Sequence, residues 1–352
     1  MDFSQKVKEF TEMIDAELEF FFEEKRKEYS ESEIEMLQII KDFVLRGGKR
    51  IRPICMLIGY CLEGNKLHRD IIRASLSTEL LHNYFLIHDD IMDEASLRRG
   101  KITVHKFFEN YYENTKDDKR KFQYGNSMAI LAGDILCVYA YDCIAKCDFE
   151  DNKKMDALKI INETIIKTIH GQNIDVISGE LNKDISQEDY MKMINNKTAE
   201  YTFTAPLKIG MTLAGVDSKI QKAITQYARF MGRAFQLQDD LMDIYSEKEF
   251  GKKKCGDISE GKRTLFVNHV LENGTDEDVI FIRSVLGKKN LSEQEIEKIR
   301  DVFNRTGAGE KVVSVIDESI DEAKKIINST VIDKGAKIFL IELAEYIRNR
   351  KV

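Results

Sequence analysis

The sequence predicts an all-α protein, a single large helical bundle over residues 1–352. Only two prolines occur in the 352 residues, Pro53 and Pro206, and proline breaks helix interiors. Ile, Lys, Glu and Leu are abundant, and all but Ile are good helix formers. Apolar residues recur at helical spacing along most of the chain, with no repeat or low-complexity linker to mark a domain boundary.

Taken in order, residues 5–45 read as two amphipathic helices that meet near Lys27–Ser32, where Ser30 and Ser32 are capping residues. Gly47-Gly48 stops the second. Helices follow over about 54–62 and 69–93, then a basic loop from Ala95 to Thr103. Residues 112–124 are strongly charged, and Gly125 reads as a break. Helical patterns then cover roughly 126–147, 153–178, 187–214, 218–247, 262–272, 276–286, 292–305 and 309–350. Lys248–Arg263 is a charged, glycine-containing loop.

The formal net charge of −7 argues against a general nucleic-acid binder. Hydrophobic residues at 43% and charged residues at 33% allow a large core beneath a solvated surface. The start, MDFSQKVKEF, lacks the apolar run of a signal peptide. The longest apolar stretch, Met128–Ile144, is interrupted by Asp134 and Asp142, so no membrane span is expected. The expectation is a cytoplasmic protein. Its six cysteines form no CxxC pair, and Cys143 and Cys147, one helical turn apart, read as small core residues. His88 and His105 have no second histidine or cysteine at metal spacing, so zinc is not expected.

The first informative stretch is LHNYFLIHDDIMDE, residues 81–94, with Asp89, Asp90 and Asp93 at the end of an apolar helical pattern. Asp89 and Asp93 are i and i+4, so both carboxylates leave one helix face and repel unless a cation lies between them. Paired hard-oxygen ligands suit magnesium, which also bridges to substrate phosphates. FQLQDDLMD, residues 235–243, repeats the spacing with Asp239, Asp240 and Asp243. One such cluster describes many solvated helix ends. Two, each flanked by apolar residues, do not read as surface decoration.

Cations stand beside both clusters. Gly47-Gly48-Lys49-Arg50-Ile51-Arg52-Pro53 sets three on a glycine-hinged turn before a helix, an arrangement suited to an anion. Arg98-Arg99-Gly100 follows the first cluster. Lys252-Lys253-Lys254 and Lys262-Arg263 follow the second, and Lys197-Thr198 precedes it. Carboxylates that collect magnesium, ringed by Lys and Arg, fit a diphosphate better than either charge alone.

The order GGKRIRP, DDIMD with RRG, then GQ, KT, QxxDD and GK, from Gly47 to Lys262, resembles the trans-isoprenyl diphosphate synthases. The resemblance implies antiparallel helices around a deep central cavity, and a homodimer. It implies that an allylic diphosphate (dimethylallyl, geranyl or farnesyl) is joined to isopentenyl diphosphate. Three magnesium ions would be held by Asp89 and Asp93, with Asp90 in support, and by Asp239, with Asp240 and Asp243. Arg98, Lys197 and Lys252 would contact the allylic diphosphate, and Lys262 would close over it. Lys49, Arg52, His82 and Arg99 would bind isopentenyl diphosphate. Gln172, Thr198 and Gln236 would line the reaction centre, and Arg348-Asn349-Arg350-Lys351 resembles a closing tail. The chain departs from the family pattern at Lys101-Ile102, where a proline is common. It departs again at Cys255-Gly256, where Gly-Ser is usual, and at Phe266, where a proline is common. No charged ligand is lost, so loop shape is what these changes affect.

In that family, the residues just before the first cluster set product length. Here they are Tyr84 and Phe85, about 6–7.5 Å below Asp89 at 1.5 Å rise per residue. Two bulky rings there imply a short product. Paired aromatics favour fifteen carbons, whereas DDIMD without insertion and LAGDIL at 131–136 resemble archaeal-type geranylgeranyl synthases. Twenty carbons is placed first. Two other readings of the chain are a terpene cyclase and a non-catalytic regulatory subunit. Cyclases usually carry a different second metal motif and lack GGKRIRP and RRG. Regulatory subunits tend to lose one aspartate cluster.

Overall fold

A computed structural model describes residues 3–111, 117–180, 186–246 and 254–350. The elements in order are α1 (Phe3–Arg26), α2 (Glu31–Leu45), α3 (Ile51–Cys61), α4 (Arg69–Met92), β1 (Leu97–Arg98), β2 (Lys101–Ile102), α5 (Val104–Tyr111), α6 (Asp118–Ala145) and α7 (Asp151–Glu180). They continue with α8 (Gln187–Ile194), a π-helical segment (Asn195–Thr204), α9 (Ala205–Ala214), α10 (Ser218–Tyr245), α11 (Gly256–Ser259), α12 (Leu265–Asn273), α13 (Asp276–Val285), α14 (Glu293–Arg305), α15 (Ala308–Ser329) and α16 (Lys334–Arg348). The all-α expectation holds. The described strands are one two-residue hairpin, β1 paired antiparallel with β2.

The chain falls into two compact units, Met1–Ile161 with Lys208–Gly215, and Asn162–Leu207 with Val216–Val352. In the first, α4 packs most extensively on α6, α5 crosses α6, and α3 lies along α4. Its core includes Ile14, Leu18, Ile54, Leu57, Leu76, Leu80, Leu136 and Ile144. In the second, α10 packs on α15 and on the π segment, around Tyr227, Met231, Leu237, Val312, Ile320 and Leu340.

Local chemistry explains the boundaries. Ser30 caps α2, with Glu33 returning to the Ser30 amide at 3.0 Å, a capping box. Thr275 with Asp278 and Ser292 with Glu295 repeat it at α13 and α14. The single helix expected over 309–350 is two, because Thr330, Val331 and Ile332 interrupt it and Asp333 starts α16 by accepting from the Ala336 amide at 2.9 Å. The run expected over 187–214 is helical throughout but changes pitch at 195–204.

Gly125 is not a break. α6 runs through it, and a β-carbon there would sit 3.0 Å from the Glu109 backbone nitrogen and nearer the His105 carbonyl. Its glycine permits the close crossing of α5 rather than a turn. Among the described residues α6 is also the one helix long and apolar enough to cross a membrane by length and composition, with 44% of that stretch buried within the fold. Lys25 binds its Asp142 at 2.9 Å. Cys143 and Cys147 are buried thiols. The Cys147 thiol donates to the Cys143 carbonyl, and burial raises its pKa to about 12.

Candidate active site

The first cluster closes α4. Asp89 is half-buried, Asp93 is exposed at the C-cap, and the Asp93 amide donates to the Asp89 carbonyl at 2.8 Å. Carboxylates at a helix C-terminus add to the negative end of the helix dipole, so the position favours a cation. Asp90 points the other way and is 1% exposed. The β1–β2 hairpin returns Arg98 to it, Nε to Oδ1 at 2.7 Å, and the same guanidinium reaches Asp89 at 3.5 Å. Burial raises the Asp90 pKa to about 6, against the lowering effect of Arg98. Arg99 and Gly100 both have positive φ, 54° and 73°, which makes the tight turn that aims Arg98 at the helix end.

A cationic patch forms in the same unit. Arg99 donates to the Gly47 carbonyl, and a β-carbon on Gly48 would sit 3.3 Å from the Arg99 Nη2. His82 is buried. Its burial first, then the charges of Arg52, Arg99, Arg98 and Arg50, drive its pKa well below the ordinary imidazole value. It is therefore a neutral group among arginines. Burial also lowers the Arg99 pKa, and Arg50, Arg52 and Arg98 add to it while Glu79 opposes. Such crowding of like charge is relieved by an anion. Lys49 is exposed and Arg52 half-buried beside this turn.

The turn does not offer all three of its expected cations. Arg50, in the left-handed region at φ 47°, is turned inward and 2% exposed. It binds Asp15 at 2.8 Å and Glu79 at 2.5 Å. It joins α1, α3 and α4.

Tyr84 and Phe85 lie one turn before the cluster, both half-buried, with ring centroids 4.8 Å apart. The expected floor residues therefore touch ring to ring, tilted by 45°, in the first unit.

The second cluster lies near the C-terminal end of α10. Asp240 is buried and accepts from the Tyr190 hydroxyl and from Gln236 Nε2 at 2.8 Å. Gln236 Oε1 in turn accepts from Thr198 at 2.6 Å, so that Tyr190, Asp240, Gln236 and Thr198 form a chain of four side chains. Burial, then the charge of Asp257, raises the Asp240 pKa well above the carboxylate range. Asp243 accepts from the amides of Gly256 and Asp257, both at 3.1 Å, and so starts α11. Asp239 pairs with Arg350 at 2.7 Å. Arg350 also lies over the Phe235 ring at 4.7 Å, and its carbonyl accepts from Gln238 at 2.8 Å.

Lys197 and Thr198 come from the π segment. Gly171 of α7 meets that backbone so closely that a β-carbon would stand 2.7 Å from the Lys197 nitrogen. α7 is continuous through this point. Lys197 donates to Asp175, which is 7% exposed. Burial pulls the Asp175 pKa up, but Lys197 and then Lys262 outweigh it and hold the carboxylate below its ordinary range. Lys262 also binds Asp257 at 3.4 Å and Glu260. Gln172 is half-buried beside Gly171. Lys252 lies outside the described residues.

Tyr190 escaped the sequence reading, because nothing in its local pattern marks a partner fifty residues away. Cys255, at φ 52°, stands in the left-handed region that favours glycine, and its amide donates to the Asp243 carbonyl at 3.1 Å.

The profile of the family described as Polyprenyl synthetase matches residues 33–303. The chain is 33% identical over 283 residues, 80% of each chain, to the short chain isoprenyl diphosphate synthase of Methanocaldococcus jannaschii. It is 30% identical over 349 residues, 99% of each, to the geranylgeranyl pyrophosphate synthase of Geoglobus acetivorans. The structure of a geranylgeranyl pyrophosphate synthase from Corynebacterium glutamicum, complexed with isoprenyl diphosphate and magnesium, superposes with a TM-score of 0.90. That match covers 97% of this chain and 99% of the other at 28% identity. With the profile spanning most of its length, the chain belongs to the polyprenyl synthetase family.

Proposed function

We propose that the chain is a short-chain trans-prenyl diphosphate synthase, one catalytic domain over residues 1–352. It joins an allylic diphosphate to isopentenyl diphosphate and releases diphosphate. The carrying observation is that two aspartate clusters end apolar helices with the same division of labour. The middle carboxylate of each, Asp90 or Asp240, is buried and held by its neighbours. Asp89 and Asp93 at one site, and Asp239 at the other, face outward beside cations.

Among the described residues, no three carboxylate, imidazole or thiol groups converge on one point. Magnesium takes one or two carboxylates and completes its shell with water and substrate phosphate. Three ions, held by Asp89, Asp93 and Asp239 with Asp90, Asp240 and Asp243 in support, would offset the charge developing on the departing diphosphate.

The remaining roles belong to side chains. Arg98, Lys197 and Lys252 hold the allylic diphosphate, and Lys262 closes on it. Lys49, Arg52 and Arg99 hold isopentenyl diphosphate, and His82, kept neutral, adds a hydrogen bond without more charge. Gln172, Thr198 and Gln236 line the reacting carbons. The allylic C–O bond breaks and its electron pair leaves on diphosphate. The double bond of isopentenyl diphosphate attacks the carbocation, a C–C bond forms, and the released diphosphate takes the lost proton. No protein nucleophile is required. Tyr84 and Phe85 end the room for the growing chain. Relatives named as geranylgeranyl synthases support a twenty-carbon product ahead of a fifteen-carbon one. Ile130, Leu131 and Val138 lie exposed along α6, which supports a homodimer that covers this face.

The test is incubation with magnesium, isopentenyl diphosphate and dimethylallyl, geranyl or farnesyl diphosphate, with products dephosphorylated and sized. Elongation that EDTA abolishes supports the reading. A folded protein that elongates no primer overturns it, and cyclic hydrocarbons point to a cyclase.

A further inference from the structure

Beside the first cluster, Gly133 of α6 faces His88 of α4. A β-carbon there would run into the His88 imidazole, 2.6 Å from its Cδ2 and closer still to Nε2. The ring therefore lies in the space that any side chain at 133 would take. His88 is one helical turn after Tyr84, on the same face of α4. The two rings meet edge to face, with centroids 4.7 Å apart. Tyr84 in turn contacts Phe85 at 4.8 Å. The imidazole is fixed from the α6 side as well. Its Nε2 lies 3.3 Å from the Ile130 carbonyl, which can only accept, so Nε2 carries the proton, and it lies 3.9 Å from Asp134 Oδ1. Burial first, then Cys137, Asp134 and Tyr141, raises the Tyr84 phenol pKa, in keeping with a ring directed at α6.

A column thus runs from the Gly133 backbone through His88 to Tyr84 and Phe85. We infer that Gly133 and His88 are positioning residues for product length, fixing how far the Tyr84 ring can retreat toward α6. This rests on the reading of Tyr84 and Phe85 as the floor for the growing chain. Neither Gly133 nor His88 touches substrate in this account. Interiors are packed densely enough that one added methyl must move a neighbour. At 133 that neighbour is an imidazole held by the Ile130 carbonyl on one side, so it moves toward Tyr84. Removal of the imidazole does the reverse and opens a space into which the Tyr84 ring can fold.

The two changes therefore act in opposite directions. Gly133→Ala shortens the mean product and His88→Ala lengthens it. The ratio of twenty- to fifteen-carbon product shifts about tenfold in each case, the low end of what one methylene of pocket volume gives. In the His88→Ala background, Gly133→Ala adds no further shortening, because the imidazole that transmits the methyl is gone. A loss of packing alone would lower the melting temperature without moving the ratio.

The measurement is product sizing for the full chain and its variants with farnesyl and geranyl primers, alongside thermal unfolding. Unchanged ratios in folded Gly133→Ala and His88→Ala proteins overturn the inference, as does a shift of the same sign in both. If Gly133→Ala does not fold, His88→Ala decides. Tyr84→Ala separates the two levels. If it lengthens the product while the other two do nothing, the floor reading stands and the relay falls. If Tyr84→Ala and Phe85→Ala both leave product length unchanged, the floor reading has failed and the relay fails with it.

Discussion

The two aspartate clusters share a spacing and differ in how their buried member is kept. Asp90 meets a full positive charge, the Arg98 guanidinium at 2.7 Å. Asp240 meets neutral donors, Tyr190 and Gln236, and burial raises its pKa well above the carboxylate range. A motif that looks duplicated thus has one centre that faces a cation and one that faces neutral donors. The lesson is that DDxxD specifies the outward carboxylates, while the surrounding helices decide the fate of the inward one.

The largest effect expected is on the outward pair. Asp89→Ala and Asp239→Ala should each lower kcat by about a thousandfold, the scale of losing a main electrostatic contact to the transition state. Steady-state kinetics at saturating magnesium checks this. A much smaller loss at Asp239 would show that the two clusters are unequal in chemistry as well as in environment.

The next effect separates the inward residues. Arg98→Met leaves Asp90 buried without its cation, a situation that costs ~3–5 kcal/mol. Asp90 has a folded pKa above its unfolded value, so its favourable contribution is present below about pH 4 and is lost as pH rises through about 6. Loss of Arg98 moves that upper limit higher. Urea unfolding without magnesium should therefore find Arg98→Met more destabilised at pH 8 than at pH 5. Equal losses at both values would break the comparison.

Tyr190→Phe removes one donor from Asp240 and should cost about 1–3 kcal/mol, the penalty of an unsatisfied buried acceptor. Because the partners of Asp240 are neutral donors with no cation to lose, this cost should change less between pH 5 and pH 8 than that of Arg98→Met. The same unfolding series measures it.

The smallest effect is a gain. Cys255→Gly should stabilise the loop that Asp243 organises by about 1 kcal/mol, since a side chain at φ 52° is disfavoured by roughly 1–2 kcal/mol. Thermal unfolding would register it as a small rise in melting temperature.

Much of this was legible in residues. Proline scarcity and helical periodicity announced the all-α fold, and Ser30 starts a helix where short-range capping predicts, whereas Ser32, also expected to cap, lies inside α2. What stayed hidden depends on distance along the chain. Arg50 reads as one of three equivalent cations in GGKRIRP, and only the approach of Asp15 and Glu79 distinguishes it from Arg52. Gly125 reads as a helix stop because the crossing α5 that demands a glycine is not visible locally. The interruption at 330–332 was readable from its β-branched run and Asp333, but the apolar pattern on either side masked it. Tyr190 had no local signal at all.

The π-helical segment at 195–204 makes its own demand on chain length. It spends more residues per turn than an α-helix, and such segments recur at functional sites. Deleting one residue there would let the backbone relax to ordinary pitch, but everything beyond the deletion would turn by about 100° relative to what precedes it. Lys197 and Thr198 would then no longer meet Asp175 and Gln236 together. Over evolutionary time this stretch should accept many exchanges of side chain yet reject a single-codon loss, so that its length is inherited more strictly than its letters.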